Sequence, residues 1–485
     1  MALEGKTLGG TTEAGGSYVE LKMWVGDPND PTKGITIESS TVDYLCITEN
    51  MFTLLPMMTL QLVDQGRFFY TYSIKIGDTI NVILKPSKID GDEDSEPKEF
   101  FRGQFMVQTI IDMPGINSQS NMHKYHCVYG AQKYINEVAP YPVMGLIANP
   151  VYYAKNTSTD ALRETIEQSG LGFSDDTDSG EIDDKSLWIN CNETRGQFAD
   201  RVVNHAWAGL GNAPILFTDV NGIAHYLTIK DICKASGDKQ RGDVDYVCTK
   251  VGLDRGQENL IMFDDAIIVN AAGPVLNQGG YSLNISMYNP YDKDKIPYKD
   301  AGMIAKMAGL DKPNIPIYTG SLFAQAGAAL NALSNGGFEK NDRGDGHRTN
   351  TYKNDGERLA GIKNASPSLA ETITKFENGG MHFDEMHNYY TIAAAHNEQV
   401  RRSFFQQFVQ LVVDTSRQKD PFKKDFTRPH LADTINIDFS NSEKIDAIHS
   451  GRYCIAQIKH IYAAKKPYTL EVTAVNDGIY GTRGS

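Results

Sequence analysis

The amino-acid sequence predicts a β-rich α+β protein with two β domains, a small α/β domain inserted between them, and a loop-rich elaboration. Three observations carry this. β-branched and aromatic residues recur at period two near both ends of the chain, two capped amphipathic helices and an Asn-Gly hairpin lie between them, and a long stretch rich in Gly, Asn, Asp and Lys interrupts the second half. At 485 residues the chain exceeds a single core and should hold about two to four domains.

Residues 1–17 are Gly/Thr-rich, with neither the basic start nor the apolar stretch of a signal peptide, and are expected to be a flexible N-terminal segment. Residues 18–139 are written in strands. TVDYLCITENMF, PMMTLQLVD, GDTINVILK, GQFMVQTIID and KYHCVYG alternate, so that Met58, Leu60 and Leu62, and likewise Ile80, Val82 and Leu84, share one buried face. The acidic loop KIDGDEDSEPKEF between two of these strands reads as a solvated hairpin tip.

Residues 140–254 change to mixed α and β. NTSTDALRETIEQSGLGF starts with Ser/Thr, spaces Leu162 and Ile166 four apart, and places Gly170 where a helix end favours a left-handed residue. A second helix begins at Thr194 with Gln197 in the capping-box position and carries Phe198, Val202 and Ala206 down one face. PILFTDVNGIAHYLTIKDI then gives two strands around Asn221-Gly222, a type I′ hairpin signal.

LIMFDDAIIVNAAG returns to strand texture, and 255–275 is a candidate to complete the first β domain as a barrel. Residues 276–384 form the loop-rich elaboration with short helices; SLFAQAGAALNAL is its helical stretch and EKNDRGDGHRTNTYKNDGER its most polar run. So many polar loop residues belong at the surface, where their backbone groups reach water. Residues 385–485 open with a helix, HNYYTIAAAHNEQVRRSFFQQ, and close with the strands QFVQLVVDT, DTINIDF, GRYCIAQIKHIY and YTLEVTAV.

Charge and cysteine usage narrow the function. Lys plus Arg total 47 against 61 Asp plus Glu, a net charge of −14 that repels phosphate backbones and anionic headgroups and argues against nucleic-acid binding. No segment approaches the ~20 apolar residues that span a bilayer, so no membrane segment is expected. Cys46, Cys127, Cys191, Cys233, Cys248 and Cys454 are scattered without a Cys-x-x-Cys pair and read as reduced, packed thiols. The sequons at Asn156, Asn192, Asn284 and Asn364, and the Arg-Gly-Asp triplets at Arg241 and Arg343, read as chance.

No catalytic signature stands out. A Gly-x-Ser-x-Gly elbow, a Walker loop, a Rossmann glycine fingerprint and His-Glu-x-x-His are all missing from the sequence. In MHFDEMH, His382 and His387 are five apart and diverge by about 140° around a helix, so with Asp384 and Glu385 they read as a polar segment before a helix. FSDDTDSGEIDDK has the composition of a calcium loop, but its glycine and glutamate fall at the wrong offsets. No catalytic, cofactor-binding or metal-binding residue is assigned.

The C-terminus is more informative. HSGRYCIAQIKHIYAAKKPYTLEVTAVNDGI combines a turn glycine, Gly451, with inward positions at Tyr453 and Ile455, a shift of phase at Ile458 and His460, and a partner strand from Tyr468 to Val475. It reads as a barrel-closing hairpin with a bulge. Here the sequence resembles the central hub proteins of phage baseplates, kin to the hub half of the type VI secretion spike protein. Ser450, Gly451, Tyr453, Ile455, Ile458 and His460 fit that family's final segment, and Ile47-Thr48-Glu49, Leu60 to Asp64, and Ile76-Gly77-Asp78 with Ile80 fit its opening strands. Asn192, Thr194 and Phe198, with the Asp-x-Asn-Gly hairpin, fit its middle domain. Gly77 and Gly451 are also ordinary turn glycines, Asp64 and Asp78 ordinary strand-end caps, and His460 reads as a core or interface histidine satisfied by backbone.

The resemblance implies two similar β-barrel domains with an inserted small α/β domain and a loop-rich elaboration. It further implies a homotrimer of a structural virion protein, giving six barrels around a channel for the genome. Such a ring joins the tail tube protein to the central spike protein of a contractile injection system, beside the tape measure protein and surrounding baseplate components. It would sit in the virion tail baseplate, be assembled in the host cytoplasm and act at genome ejection. The alternatives are a tail-associated cell-wall hydrolase, which would need paired carboxylates along a cleft, and a receptor- or glycan-binding tail protein. The latter more often clusters exposed Trp, whereas this chain has only Trp24, Trp188 and Trp207.

Overall fold

The computed structural model describes residues 6–8, 19–64, 74–86, 101–114, 121–137, 152–176, 186–190, 193–208, 212–233, 246–250, 260–263, 265–270, 283–286, 298–301, 393–394, 397–398, 400–401, 407–414, 429–439, 449–463 and 468–476. The acidic loop, MHFDEMH, SLFAQAGAALNAL, Asn192, Asn364, both Arg-Gly-Asp triplets and the end of the calcium-like loop lie outside these residues.

The first strand set comprises β1 (Lys6–Leu8), β2 (Val19–Val25), β3 (Ile35–Ile37), β4 (Val42–Asn50), β5 (Met57–Asp64), β6 (Thr79–Pro86), β7 (Phe101–Pro114) and β8 (Asn121–Tyr129). Alternation in β5 buries Met58, Leu60 and Leu62 on one face, as the period-two pattern requires. Antiparallel pairing runs β4–β5–β8–β7–β6–β2–β3. A one-turn 3-10 helix, Ser39–Thr41, joins β3 to β4. One segment, 35–50, therefore pairs with β2 at its start and β5 at its end, and the pairing returns to where it began. β1 adds a parallel strand on β3.

The middle of the chain holds β9 (Tyr152–Asn156), β10 (Gly172–Asp175), β11 (Ser186–Ile189), β12 (Pro214–Thr218) and β13 (Ile223–Thr228), with helices Ser158–Glu167 and Arg195–His205. Both helices start in capping boxes, Thr157 with Asp160 and Thr194 with Gln197, which satisfy N–H groups that a first turn leaves open. Gly170 follows the first helix at φ 79°, the left-handed residue its sequence predicts. The facing sides bury Leu162, Ile166, Phe198 and Val202 against Trp188 and Tyr226, a core separate from that of the strand sets.

The hairpin at Asn221-Gly222 forms, but not with a type I′ turn. Such a turn needs positive φ at both central residues, and here Gly222 has φ 80° while Asn221 does not. Gly222 N–H instead closes on Asp219 O, and the Asp219 carboxylate accepts from the N–H groups of Asn221 and Ile223. The side chain of Asp219 thus selects a three-residue loop ending in a left-handed glycine.

The second strand set comprises β14 (Tyr246–Lys250), β15 (Leu260–Phe263), β16 (Asp265–Asn270), β19 (Gln407–Asp414), β20 (Thr434–Asp438), β21 (Gly451–Ala463) and β22 (Thr469–Asn476), while β17 (Leu283–Ser286) and β18 (Tyr298–Ala301) pair only with each other among the described residues. Pairing runs β16–β19–β22–β21–β20–β14–β15, and only residue 264 separates β15 from β16. Again one nearly continuous segment supplies both ends of the path. β15 and β16 therefore pair with the second set and not with the first, where sequence texture placed 255–275 as a completing segment. β14, inside the range read as the inserted domain, pairs there too. Alternation identifies a strand but is silent about its neighbours.

Counted along each set, the pairing order is the same: first with second, second with third, third with sixth, sixth with fifth, fifth with fourth, fourth with first. The second strand is the broken one in both. Register agrees as well. A bulge follows Val107↔Cys127 on β7 and β8, and another follows Ile455↔Ala474 on β21 and β22. Gly77 N–H donates to Val107 O and Val107 N–H to Asp78 O, just as Ala432 donates to Ile455 O and Ile455 to Asp433 O. Sequence follows geometry: Asp78-Thr79-Ile80-Asn81 recurs as Asp433-Thr434-Ile435-Asn436, and Gly103, Phe105, Val107 and Ile110 correspond to Gly451, Tyr453, Ile455 and Ile458. One strand differs in direction. β2 is antiparallel to both neighbours, whereas β14 is parallel to both of its own.

Candidate functional site

The region that can do something specific is the joint between the two strand sets. β21 is long enough to serve both. Its start, Gly451–Cys454, pairs with β20, and its end, Gln457–Ala463, pairs along the same edge with β4. The bulge at Ala456 lies between these halves and lets the strand bend from one set to the other. Gly451 takes φ 156° at the strand's entry, and Ser450 Oγ accepts the Phe439 N–H at 2.9 Å. Tyr453 donates its hydroxyl to His449 O at 2.6 Å while receiving Gln407 Nε2.

At the joint, β4 contributes Glu49 and β21 contributes His460, 1% and 4% exposed. Their Oε1 and Nε2 are 2.8 Å apart, and His460 Nδ1 meets the Tyr468 hydroxyl. Glu49 Oε2 accepts the buried Val220 N–H at 3.0 Å, which ties in the inserted domain's hairpin. Either protonation pattern gives the same hydrogen bond: an ionised Glu49 would accept from Nε2–H, and a protonated one would donate to Nε2. His460 is thus satisfied by two side chains, where its sequence reading expected backbone. Glu49 and His460 are 411 residues apart, which is why spacing gave no sign of the pair.

The hairpin is anchored further along. His225 lies between two carboxylates, with Nδ1 2.8 Å from Asp176 and Nε2 3.6 Å from Asp219. Burial raises the Asp219 carboxyl, but hydrogen bonds from His225 and the Ile223 N–H outweigh it and hold the group below its ordinary value. Gly222 lies against the Tyr129 ring, where a Cβ would overlap the hydroxyl. On the far side Asn397 donates to the carbonyls of Asn204 and Ala206, and Arg401 to those of Pro214 and Val203. All three parts of the chain meet here, with Glu49 and His460 at the buried centre of the network and His225 and Arg401 half-buried at its rim. What it does is mechanical: it fixes how the two sets and the inserted domain meet.

Other sequence-marked residues have structural places. Gly77 has φ 90°, Asp64 is buried at the end of β5, Thr194 caps its helix and Phe198 is fully buried. Burial pushes the Cys127 thiol up to about 12, and Cys46 and Cys454 are buried as well. Among the described residues no group of three or more His, Cys, Asp or Glu is placed to hold a metal ion, and no helix is long and apolar enough to cross a membrane.

No protein-family model matches the chain, and no curated protein matches it in sequence. Solved structures do. The 43 kDa tail protein of prophage MuSo2 from Shewanella oneidensis superposes with a TM-score of 0.51 at 11% identity, covering 95% of this chain and 99% of its own. A tail protein from Neisseria meningitidis MC58 gives 0.45 at 8% identity, covering 95% and 98%. The Escherichia coli c3393 protein, a type VI secretion component with structural similarity to the T4 tail proteins gp27 and gp5, gives 0.36 at 9% identity, covering 92% and 76%. The first of these likenesses spans both strand sets and the inserted domain. This chain has the fold of a phage tail protein.

Proposed function

We propose that the chain is a structural baseplate hub: a homotrimer in the virion tail that joins the tail tube to the central spike and lines part of the channel for the genome. The observation that carries this is the repeat of one pairing order, with one register, in two strand sets of a single chain. Each cyclic path of strands is a β-barrel, closed through its broken second strand. Three chains then present six near-equivalent units, which adapts a sixfold tube to a threefold spike.

The rest of the chain suits the same role. The inserted domain's hairpin is tied to the joint by the buried Glu49–Val220 hydrogen bond, which suits a load-transmitting part. A net charge of −14 per chain favours a neutral to acidic channel, along which DNA slides without sticking. Residues 276–384 are the outward elaboration that meets surrounding baseplate components. The protein acts without enzymatic chemistry.

Light scattering on the purified full chain tests the reading. A mass of three chains is expected, and a single-chain mass across the micromolar range would overturn it.

A further inference from the structure

Within the chain, the second strand of the first set, β4, has both edges occupied, by β5 on one side and by the second half of β21 on the other. Its counterpart in the second set is β16, and among the described residues β16 pairs with β19 alone. β21, the fifth strand of the second set, has its counterpart in β7, the fifth strand of the first. The first half of β7 pairs with β6 up to Met106, and Val107 bonds to the Gly77-Asp78 turn. Beyond that point the described residues put only β8 against it. Each set therefore carries a half of each kind, β4 and β7 in the first and β16 and β21 in the second, and among the described residues only β4 and β21 are joined.

Exposure marks the bare halves. Equal pairing with β5 and β19 makes Ile267 the counterpart of Cys46 and Val269 that of Thr48. Cys46 is 9% exposed under β21, whereas Ile267 is 61% and Val269 52% exposed. On β7, Ile111 is 41% exposed. β-branched apolar side chains on an uncovered strand edge are what isolated proteins avoid, because such an edge templates pairing with another chain.

We propose that β16 of one copy pairs antiparallel with residues 110–113 of β7 in a second copy, reproducing between subunits the β4–β21 joint inside each; this rests on the hub reading. The register follows from that joint, in which Glu49, Thr48, Ile47 and Cys46 face Ile458, Lys459, His460 and Ile461. It sets Asn270 opposite Ile110, Val269 opposite Ile111, Ile268 opposite Asp112 and Ile267 opposite Met113 of the second copy. Two exposed apolar residues, Val269 and Ile111, thus cover each other. Asn270 takes the place of Glu49, and Asp112, whose side chain is 71% exposed, takes that of His460. Pro114 ends the paired stretch, since it has no N–H to offer. The contact is head-to-tail and alternates first and second sets, and it closes a ring of three chains when the rotation at the outer joint matches that at the inner one.

The full chain with Val269→Cys and Ile111→Cys tests the register under oxidation, read by denaturing electrophoresis without reductant. Directly opposite residues lie about 4.5–5.5 Å apart, within disulfide reach, while diagonal ones at roughly 7–8 Å are outside it. Expected are linked species of two and three chains from this pair, none from either single variant or the wild type, and little from Val269→Cys with Met113→Cys. A three-chain wild-type mass with no link in the first pair would overturn the pairing and leave the hub reading standing. Equal linking by both pairs would overturn the register. A single-chain wild-type mass would overturn pairing and hub reading together. Val269→Lys, at an exposed position, should weaken association by up to about fivefold, through loss of the apolar cross-strand pair with Ile111, with an unchanged unfolding midpoint. Unchanged association would count against the edge.

Discussion

The two strand sets share pairing order, bulge position and turn, yet differ at one edge. β4 lies under β21 and carries the buried acid Glu49, whereas β16, its counterpart, carries exposed Ile267 and Val269 and ends in Asn270. A repeated unit needs one rule for joining its copies, and in this chain the rule is met once by covalent connection. The internal joint can therefore afford a buried acid–imidazole pair, which would be costly to desolvate at every association. The β16 side of the proposed outer joint carries the apolar Ile267 and Val269 at exposed positions, with no buried acid to desolvate on association.

Removing Glu49 is the strongest way to break this contrast. Glu49→Ala strands the Val220 N–H and His460 Nε2, both buried, and should cost about 3–5 kcal/mol in denaturant unfolding. Val269→Ala, measured at dilutions where single chains prevail, should cost under about 0.5 kcal/mol. Equal costs would mean that the polar network does not hold the internal joint.

Much of this fold was legible in the sequence, because local rules govern it. Thr157, Thr194 and Gly170 announce helix ends through the backbone groups that a helix leaves open, and β5 shows its buried face in Met58, Leu60 and Leu62. Strand partners were not legible. β16 reads equally well as the end of either set, and only its pairing with β19 decides. The joint was half visible: Glu49 and His460 both stand out in the family resemblance, but nothing local says that they touch. A signal for the repeat did exist in Asp78-Thr79-Ile80-Asn81 and Asp433-Thr434-Ile435-Asn436. Its flanking residues had drifted enough to hide it until the hydrogen bonds of the two turns aligned.

Those turns sharpen the comparison at a smaller scale. Asp78 accepts the Lys75 N–H at 2.7 Å, and Asp433 accepts the His430 N–H at 2.8 Å. The bonds match, but Asp433 is 1% exposed while Asp78 is half-buried. Asp433→Ala should cost about 1–3 kcal/mol, since it empties a buried position that holds a hydrogen-bonded carboxylate, and Asp78→Ala about 0.5–1.5 kcal/mol. Thermal unfolding of the two variants would show the order, and a reversal would mean that the second turn is more open than its burial indicates.

The smallest effect lies at the residue before each of these aspartates. Gly77 has φ 90° and Ala432 φ 65°, and the described residues hold no other non-glycine at positive φ. An L-residue in the left-handed region costs roughly 1–2 kcal/mol. Glycine there avoids that cost but gives up roughly 0.5–1 kcal/mol of chain freedom on folding. Ala432 is 1% exposed, so its methyl adds about 0.8 kcal/mol of burial, whereas a Cβ on exposed Gly77 would meet nothing within 4 Å. The two substitutions therefore should not mirror each other. Gly77→Ala brings strain without contact and should destabilise by about 1 kcal/mol. Ala432→Gly relieves strain but removes a packed methyl, and should fall within about 0.5 kcal/mol of neutral. Denaturant midpoints would separate the two outcomes. A clear gain for Ala432→Gly would show that the buried methyl contributes nothing, and that Ala432 is tolerated there for some reason other than packing.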